Sequence, residues 1–124
     1  MMTRVYYDGQ CGLCRREIDY YKKIAPDGLF EWIDVTRDAS SLDALGVSYV
    51  QALKLLHVVD AQGRVHIGVD AFIQIWRLMP YWRVLATLAG LPLIYPLAKV
   101  AYRLFAHWRF ARLDHCQIAL RENP

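Results

Sequence analysis

Two cysteines stand two residues apart, at Cys11 and Cys14, in the stretch "YYDGQCGLCRREIDYYKK" of residues 6–23, and Asp8 precedes the first by three positions. Thiols at this spacing serve disulfide exchange or metal ligation, or simply pack as two apolar side chains of a core. Only the thiolate exchanges disulfides. Placed at a helix entrance, Cys11 meets free backbone N–H groups and the positive end of the helix dipole, which lower a cysteine pKa to about 3.5–7.5. Arg15 and Arg16, in the first turn, would add to that effect. Cys14, one turn further, shares a helix face with Ile18 and Tyr21 and is expected to be shielded. The spacing therefore assigns Cys11 as the attacking sulfur and Cys14 as the resolving sulfur that closes on the mixed disulfide. The pair itself holds the two electrons, so no cofactor is required. Asp8 reads either as a proton acceptor or relay for the resolving thiol, or as a turn former or helix cap.

Metal binding is the rival chemistry. Zinc takes four ligands, and Cys11, Cys14, Cys116 and one of His57 or His66 would supply them. Against it, there is no second CxxC, and Cys116 sits alone in "LDHCQIAL". The histidines are expected as a solvated cross-strand pair, and His115 and Cys116 as surface or packing residues, so no metal ligand is assigned. Hydrolysis by a cysteine with His57 lacks any local sign of an oxyanion hole.

The elements that would position these residues follow from patterning. Arg4 to Tyr7 is a β-rich run ending at the turn pair Asp8-Gly9. Cys14, Ile18, Tyr21 and Ala25 recur at helical spacing, with Pro26-Asp27-Gly28 as a stop. "LFEWIDV", residues 29–35, is a second strand, and the three elements form a right-handed parallel β-α-β crossover. A loosely helical stretch, Ser40 to Gly46, precedes Ser48 to Lys54, for which the pattern is weak. "LLHVVD" and "RVHIG" then make a hairpin around Asp60-Ala61-Gln62-Gly63. With a turn symmetric about Ala61 and Gln62, Val58 faces Val65, Leu56 faces Ile67 and His57 faces His66. Asp70 is expected to cap a helix with the apolar face Phe72, Ile75, Trp76 and Met79, ended by Pro80. The predicted fold is α/β, a thioredoxin-like sheet of a parallel β-α-β unit plus an antiparallel hairpin, over residues 1–80, with a helical C-terminal extension over 81–124 packed on it.

Composition agrees with one domain. The chain has 124 residues, 56% of them hydrophobic, which is enough for a core and argues against disorder. Three cysteines are too few for a disulfide scaffold, and residues 1–20 show no apolar signal core, so a cytoplasmic location is expected. Charge is uneven: residues 1–75 hold 8 Lys and Arg against 10 Asp and Glu, and residues 76–124 hold 7 against 2. The fifteen uncharged residues from Val84 to Ala98 are interrupted by Gly90, Pro92 and Pro96 and fall short of the roughly 20 a bilayer span needs. They read as part of a helical cap. The sharper reading of residues 84–112 is an interfacial helix whose basic rim, with Lys99 and Arg103, makes a peripheral membrane contact. Large aliphatics among the tail's arginines argue against a nucleic-acid partner.

Asp8, Cys11 and Cys14 in "YDGQCGLC" resemble the Asp-Cys-Cys pattern of the DCC family of thiol-disulfide oxidoreductases. The resemblance runs on through "FEWIDV", "LHVVDAQGRVHIGVDAF", "IWRLMPYWRVL" and "LPLIYPLAKVAYRLFAHWRF". It implies a thioredoxin-like fold and an oxidoreductase activity, with Asp8, Cys11 and Cys14 as the family residues; thiol-disulfide exchange would take a disulfide-containing protein or a small thiol as substrate. Compared with thioredoxins, Gly12-Leu13 lacks the proline between the cysteines, and Gln10 stands where an aromatic often precedes the first. Lys54, Leu55 and Leu56 occupy the stretch where thioredoxins place a cis-proline, which implies a differently shaped substrate groove. The alternative reading is a non-enzymatic module that uses the CxxC for a metal or partner and docks through its basic helical tail.

Overall fold

The computed structural model describes residues 2–26, 28–79 and 82–122. Strand β1 (Thr3–Tyr7), helix α1 (Gly12–Ile24) and strand β2 (Phe30–Asp34) form the expected crossover, with β1 and β2 paired in parallel from Thr3 opposite Phe30 to Tyr7 opposite Asp34. Helices α2 (Leu42–Leu45) and α3 (Tyr49–Lys54) follow, then strands β3 (His57–Val59) and β4 (Val65–Ile67) and helix α4 (Val69–Arg77). The extension consists of α5 (Arg83–Ala89), α6 (Ile94–Arg112) and α7 (Asp114–Glu122). The sheet order is β2-β1-β3-β4, with β3 antiparallel to both β1 and β4. This mixed four-stranded sheet is consistent with a thioredoxin-like fold.

Strand alternation splits the core in two. Val5 and Tyr7 of β1, with Val58 of β3, face Ile18 and Tyr21 of α1 and Ala71, Ile75 and Met79 of the α4 region. Tyr6 and Val59 face the other way, onto Ala52 and Leu53 of α3 and onto Phe110, Cys116 and Ala119 of the extension. The second half of the core is thus built partly by α6 and α7. A fully buried leucine such as Leu53 contributes about 2 kcal/mol in transfer free energy.

Two local expectations are corrected. In the hairpin, Val58 pairs with His66 and His57 with Ile67, a slip of one residue from the expected register. The loop has three residues, not two: Asp60 and Arg64 pair through backbone, and Gly63 adopts φ +85°. Asp60 builds this loop by accepting from the backbone N–H groups of Gln62 and Arg64, and its other oxygen bonds His66. Asp70, for its part, caps no helix. Gly68 is the N-cap of α4, and Asp70, in the first turn, accepts from the hydroxyl of Tyr95. Its partner lies in the extension, which local patterning does not reveal. The weakly patterned Ser48 to Lys54 is a helix capped by Ser48, whose hydroxyl accepts from Gln51 N–H. Asp27 and Pro80, named above as helix terminators, lie outside the described residues.

Candidate active site

Cys11 is the N-cap of α1. Its extended backbone (φ −83°, ψ 116°) turns the side chain back over the helix entrance, where Sγ accepts the N–H of Cys14 at 3.3 Å. The Cys11 thiol is lowered to about 5, mostly by the hydrogen bond from the Cys14 thiol, against burial, and with help from the Cys14 N–H and the charge of Arg109. Cys14 is pushed far up by giving that hydrogen bond and by burial. The two sulfurs therefore divide into a thiolate and a thiol at neutral pH.

The sequence expectation needs two corrections and one addition here. The cation beside Cys11 is Arg109 of α6, while Arg15 and Arg16 are exposed on α1. Exposure is also reversed: Cys11 is 2% exposed and Cys14 is partly exposed, because the capping sulfur folds inward against the helix. Lastly, His115 and Cys116, expected as surface or packing residues, also meet Asp8, and Cys116 does so from within the packed core. His115 Nε2 lies 2.8 Å from Asp8 Oδ2, and Cys116, fully buried, has its Sγ 3.6 Å from the same oxygen.

Asp8, 3% exposed, follows β1 and takes the turn-forming role expected of it. Oδ1 accepts from Gln10 N–H at 3.0 Å, a local turn, while the carboxylate as a whole meets the extension. Arg109 Nη1 stands 3.6 Å from Oδ2, and Nη2 donates to the carbonyl oxygens of Leu53 (2.8 Å) and Lys54 (2.9 Å). Burial and the Asp8 charge push the Cys116 thiol up to about 12. The glycine that follows Asp8 is also constrained: Gly9 N–H donates to Asp34 Oδ1, and a Cβ on Gly9 would stand 1.8 Å from Asp34 Oδ2.

The zinc set considered from sequence is not assembled. The ring of His57, buried in β3, bonds the Leu55 carbonyl, and His66 bonds Asp60. Arg109, His115 and Cys116 are the site residues that sequence reasoning missed. The adjacent His115-Cys116 pair was the available signal, but nothing local ties it to Asp8.

The stretch before β3 contains no cis peptide among the described residues. Its backbone is engaged from several sides. Arg109 takes the Leu53 and Lys54 carbonyls, Tyr102 accepts the Leu56 N–H, and Gly68 N–H donates to the Leu56 carbonyl. Beside Cys14 lies a cavity of about 50 Å³, walled by Ile18, Leu53, Leu56, Phe72 and Tyr102.

A family model described as DCC1-like thiol-disulfide oxidoreductase matches residues 5–114, most of the chain. The chain belongs to that family. The matched span holds Asp8, Cys11, Cys14 and Arg109 and ends one residue before His115. An uncharacterized chloroplastic protein of Arabidopsis thaliana is 29% identical over 108 residues, covering 86% of this chain and 50% of that protein. The chain thus spans half the length of this curated relative. No solved structure matches it.

Proposed function

We propose that the chain is a thiol-disulfide oxidoreductase in which Cys11 is the nucleophile, Cys14 the resolving thiol and Asp8 a modulator of proton transfer. The observation that carries this reading is the placement of Cys11 at the N-cap of α1, one helical turn before Cys14, where the hydrogen bond from the Cys14 thiol, joined by the capping N–H, lowers Cys11 and raises Cys14. The Cys11 thiolate attacks a substrate disulfide and expels one thiolate. Cys14 then loses its proton and attacks Cys11 in the mixed disulfide, releasing the second thiolate. The substrate gains two electrons, the pair loses two, and two equivalents of an external thiol, leaving as their disulfide, restore the dithiol.

Both substrate classes named from sequence, a protein disulfide and a small thiol, which enters this step in its disulfide form, remain compatible with this chemistry, and the engaged backbone beside the thiols favours the small one. An extended polypeptide would pair with free backbone groups near the thiols, yet those of residues 53, 54 and 56 are engaged as described above.

The test is an equilibrium titration in glutathione or dithiothreitol buffers, with alkylation and mass spectrometry counting each free thiol. A reversible two-electron transition confined to Cys11 and Cys14 supports the reading. A pair that never closes refutes it.

A peripheral membrane contact through α6 is a second proposal, supported by one surface. Leu93, Leu97, Val100, Leu104 and Trp108 are exposed at helical spacing along α6, and Arg103 and Arg112 lie about a quarter turn to either side. No single helix among the described residues is long and apolar enough to cross a membrane, and α5 and α6, which would pass together, are bent by 96°. Cosedimentation with anionic vesicles, lost in Leu97→Glu/Leu104→Glu, would support the contact. Equal recovery with and without vesicles would end it.

A further inference from the structure

Asp8, His115 and Cys116 bring a carboxylate, an imidazole and a thiol together at the seam between β1 and α7, with all ligand atoms within 4.8 Å of one another. The exchange chemistry uses only the first of them. The edges of this triangle are 2.8 Å from His115 Nε2 to Asp8 Oδ2, 3.6 Å from Cys116 Sγ to the same oxygen, and 3.6 Å from Sγ to Nε2. A shared proton explains the first edge. The two sulfur edges are longer than strong hydrogen bonds, and they fit something else. Tetrahedral zinc with bonds of about 2.0 Å to nitrogen and oxygen and about 2.3 Å to sulfur needs sulfur edges of about 3.5 Å and an N–O edge of about 3.3 Å. The sulfur edges are already there, and the N–O edge must open by only about half an ångström once its proton is gone.

The surroundings agree. His115 Nε2 lies near both carboxylate oxygens, 2.9 Å from Oδ1 and 2.8 Å from Oδ2; Oδ1 also accepts from Gln10 N–H, and Oδ2 is the oxygen that the sulfur meets. A carboxylate, a thiolate and a neutral imidazole balance a divalent cation, and soft sulfur with imidazole selects the zinc class over magnesium or calcium. Arg109 is the competing cation, but its Nη1 makes no hydrogen bond, so an ion at Oδ2 breaks none there. The Cys11 thiolate offers the guanidinium a second anion. His115 is partly exposed, which opens a route for the ion and for water.

The geometry points to a binding site for a thiophilic divalent cation of the zinc class, held by Asp8 Oδ2, His115 Nε2 and Cys116 Sγ, with water as the fourth ligand. On binding, Cys116 releases its thiol proton to solvent and His115 keeps its proton on Nδ1. The ion ties α7 to the end of β1, so it contributes to folding as well as to the site. The inference does not rest on the exchange reading, because neither Cys11 nor Cys14 is a ligand.

The experiment is a Co²⁺ titration of the reduced, chelator-treated full chain, followed by competition with Zn²⁺. One equivalent is expected to give tetrahedral visible bands and a thiolate-to-cobalt charge-transfer band, both erased by Zn²⁺. Cys11→Ser/Cys14→Ser retains them, Cys116→Ser abolishes the charge-transfer band, and His115→Gln, at a partly exposed position that tolerates change, weakens affinity roughly tenfold or more. Absence of saturable binding by the unmodified chain overturns the proposal. So does a spectrum lost in Cys11→Ser/Cys14→Ser and kept in Cys116→Ser, which would assign the ion to the CxxC pair.

Discussion

Arg109 Nη1 stands 3.6 Å from Asp8 Oδ2, joining the end of the first strand to the longest helix of the C-terminal extension. The same guanidinium helps hold Cys11 as a thiolate and satisfies two carbonyls at the end of α3. One side chain therefore links the extension, the sulfur pair and the segment that leads into β3.

Arg109→Met is expected to raise the pH at which Cys11 becomes reactive. In the unmodified chain, alkylation of Cys11 resolved by mass spectrometry should show an inflection near pH 5. The variant should shift it upward, and Arg109→Lys should recover part of the shift by restoring the charge. The variant also leaves two carbonyls without a charged donor, at a cost of about 2–4 kcal/mol in urea unfolding. An unshifted inflection would remove Arg109 from the account of Cys11.

Stability should rise with pH between about 5 and 9 because of Cys11. Its folded pKa is depressed to about 5 from an ordinary value of 9.0. The stabilisation is fully present above the ordinary value and is lost as pH falls through the folded one, because unfolding in between takes up a proton. Cys14, raised in the fold, contributes in the opposite sense and only above the ordinary value. Denaturant melts across this window should show the slope, and Cys11→Ser should flatten it.

Gly9→Ala should destabilise the protein by about 1–3 kcal/mol. The added methyl would collide with the Asp34 carboxylate, which is held in place by the Thr36 N–H and hydroxyl as well as by Gly9 itself. A chemical-denaturation midpoint unchanged from the parent would show that the carboxylate moves aside freely.

Gly63→Ala should cost about 1–2 kcal/mol, because φ is +85° at that position. Gly12→Ala is the matched control: Gly12 has negative-φ helical backbone and open space where a Cβ would go. Comparable losses at the two positions would contradict the three-residue loop that sets the β3–β4 register.

The order of the elements and the place of the sulfur pair were legible in the sequence, because both rest on local physics. A run of β-rich residues, a glycine turn, and apolar positions at helical spacing put Cys11 at the start of α1 whatever the rest of the chain does. The hairpin was legible as a hairpin, but its register turned on Gly63 entering the left-handed region, a choice of loop length that "DAQG" leaves open. Which groups surround the sulfurs was decided only in three dimensions. Arg109, His115 and Cys116 lie about a hundred residues from Asp8 in the chain, and no periodicity carries information over that distance. They arrive because Phe110, Cys116 and Ala119 bury themselves on the second face of the sheet beside Tyr6 and Leu53. Apolar burial docked the extension, and the polar chemistry of the site came with it.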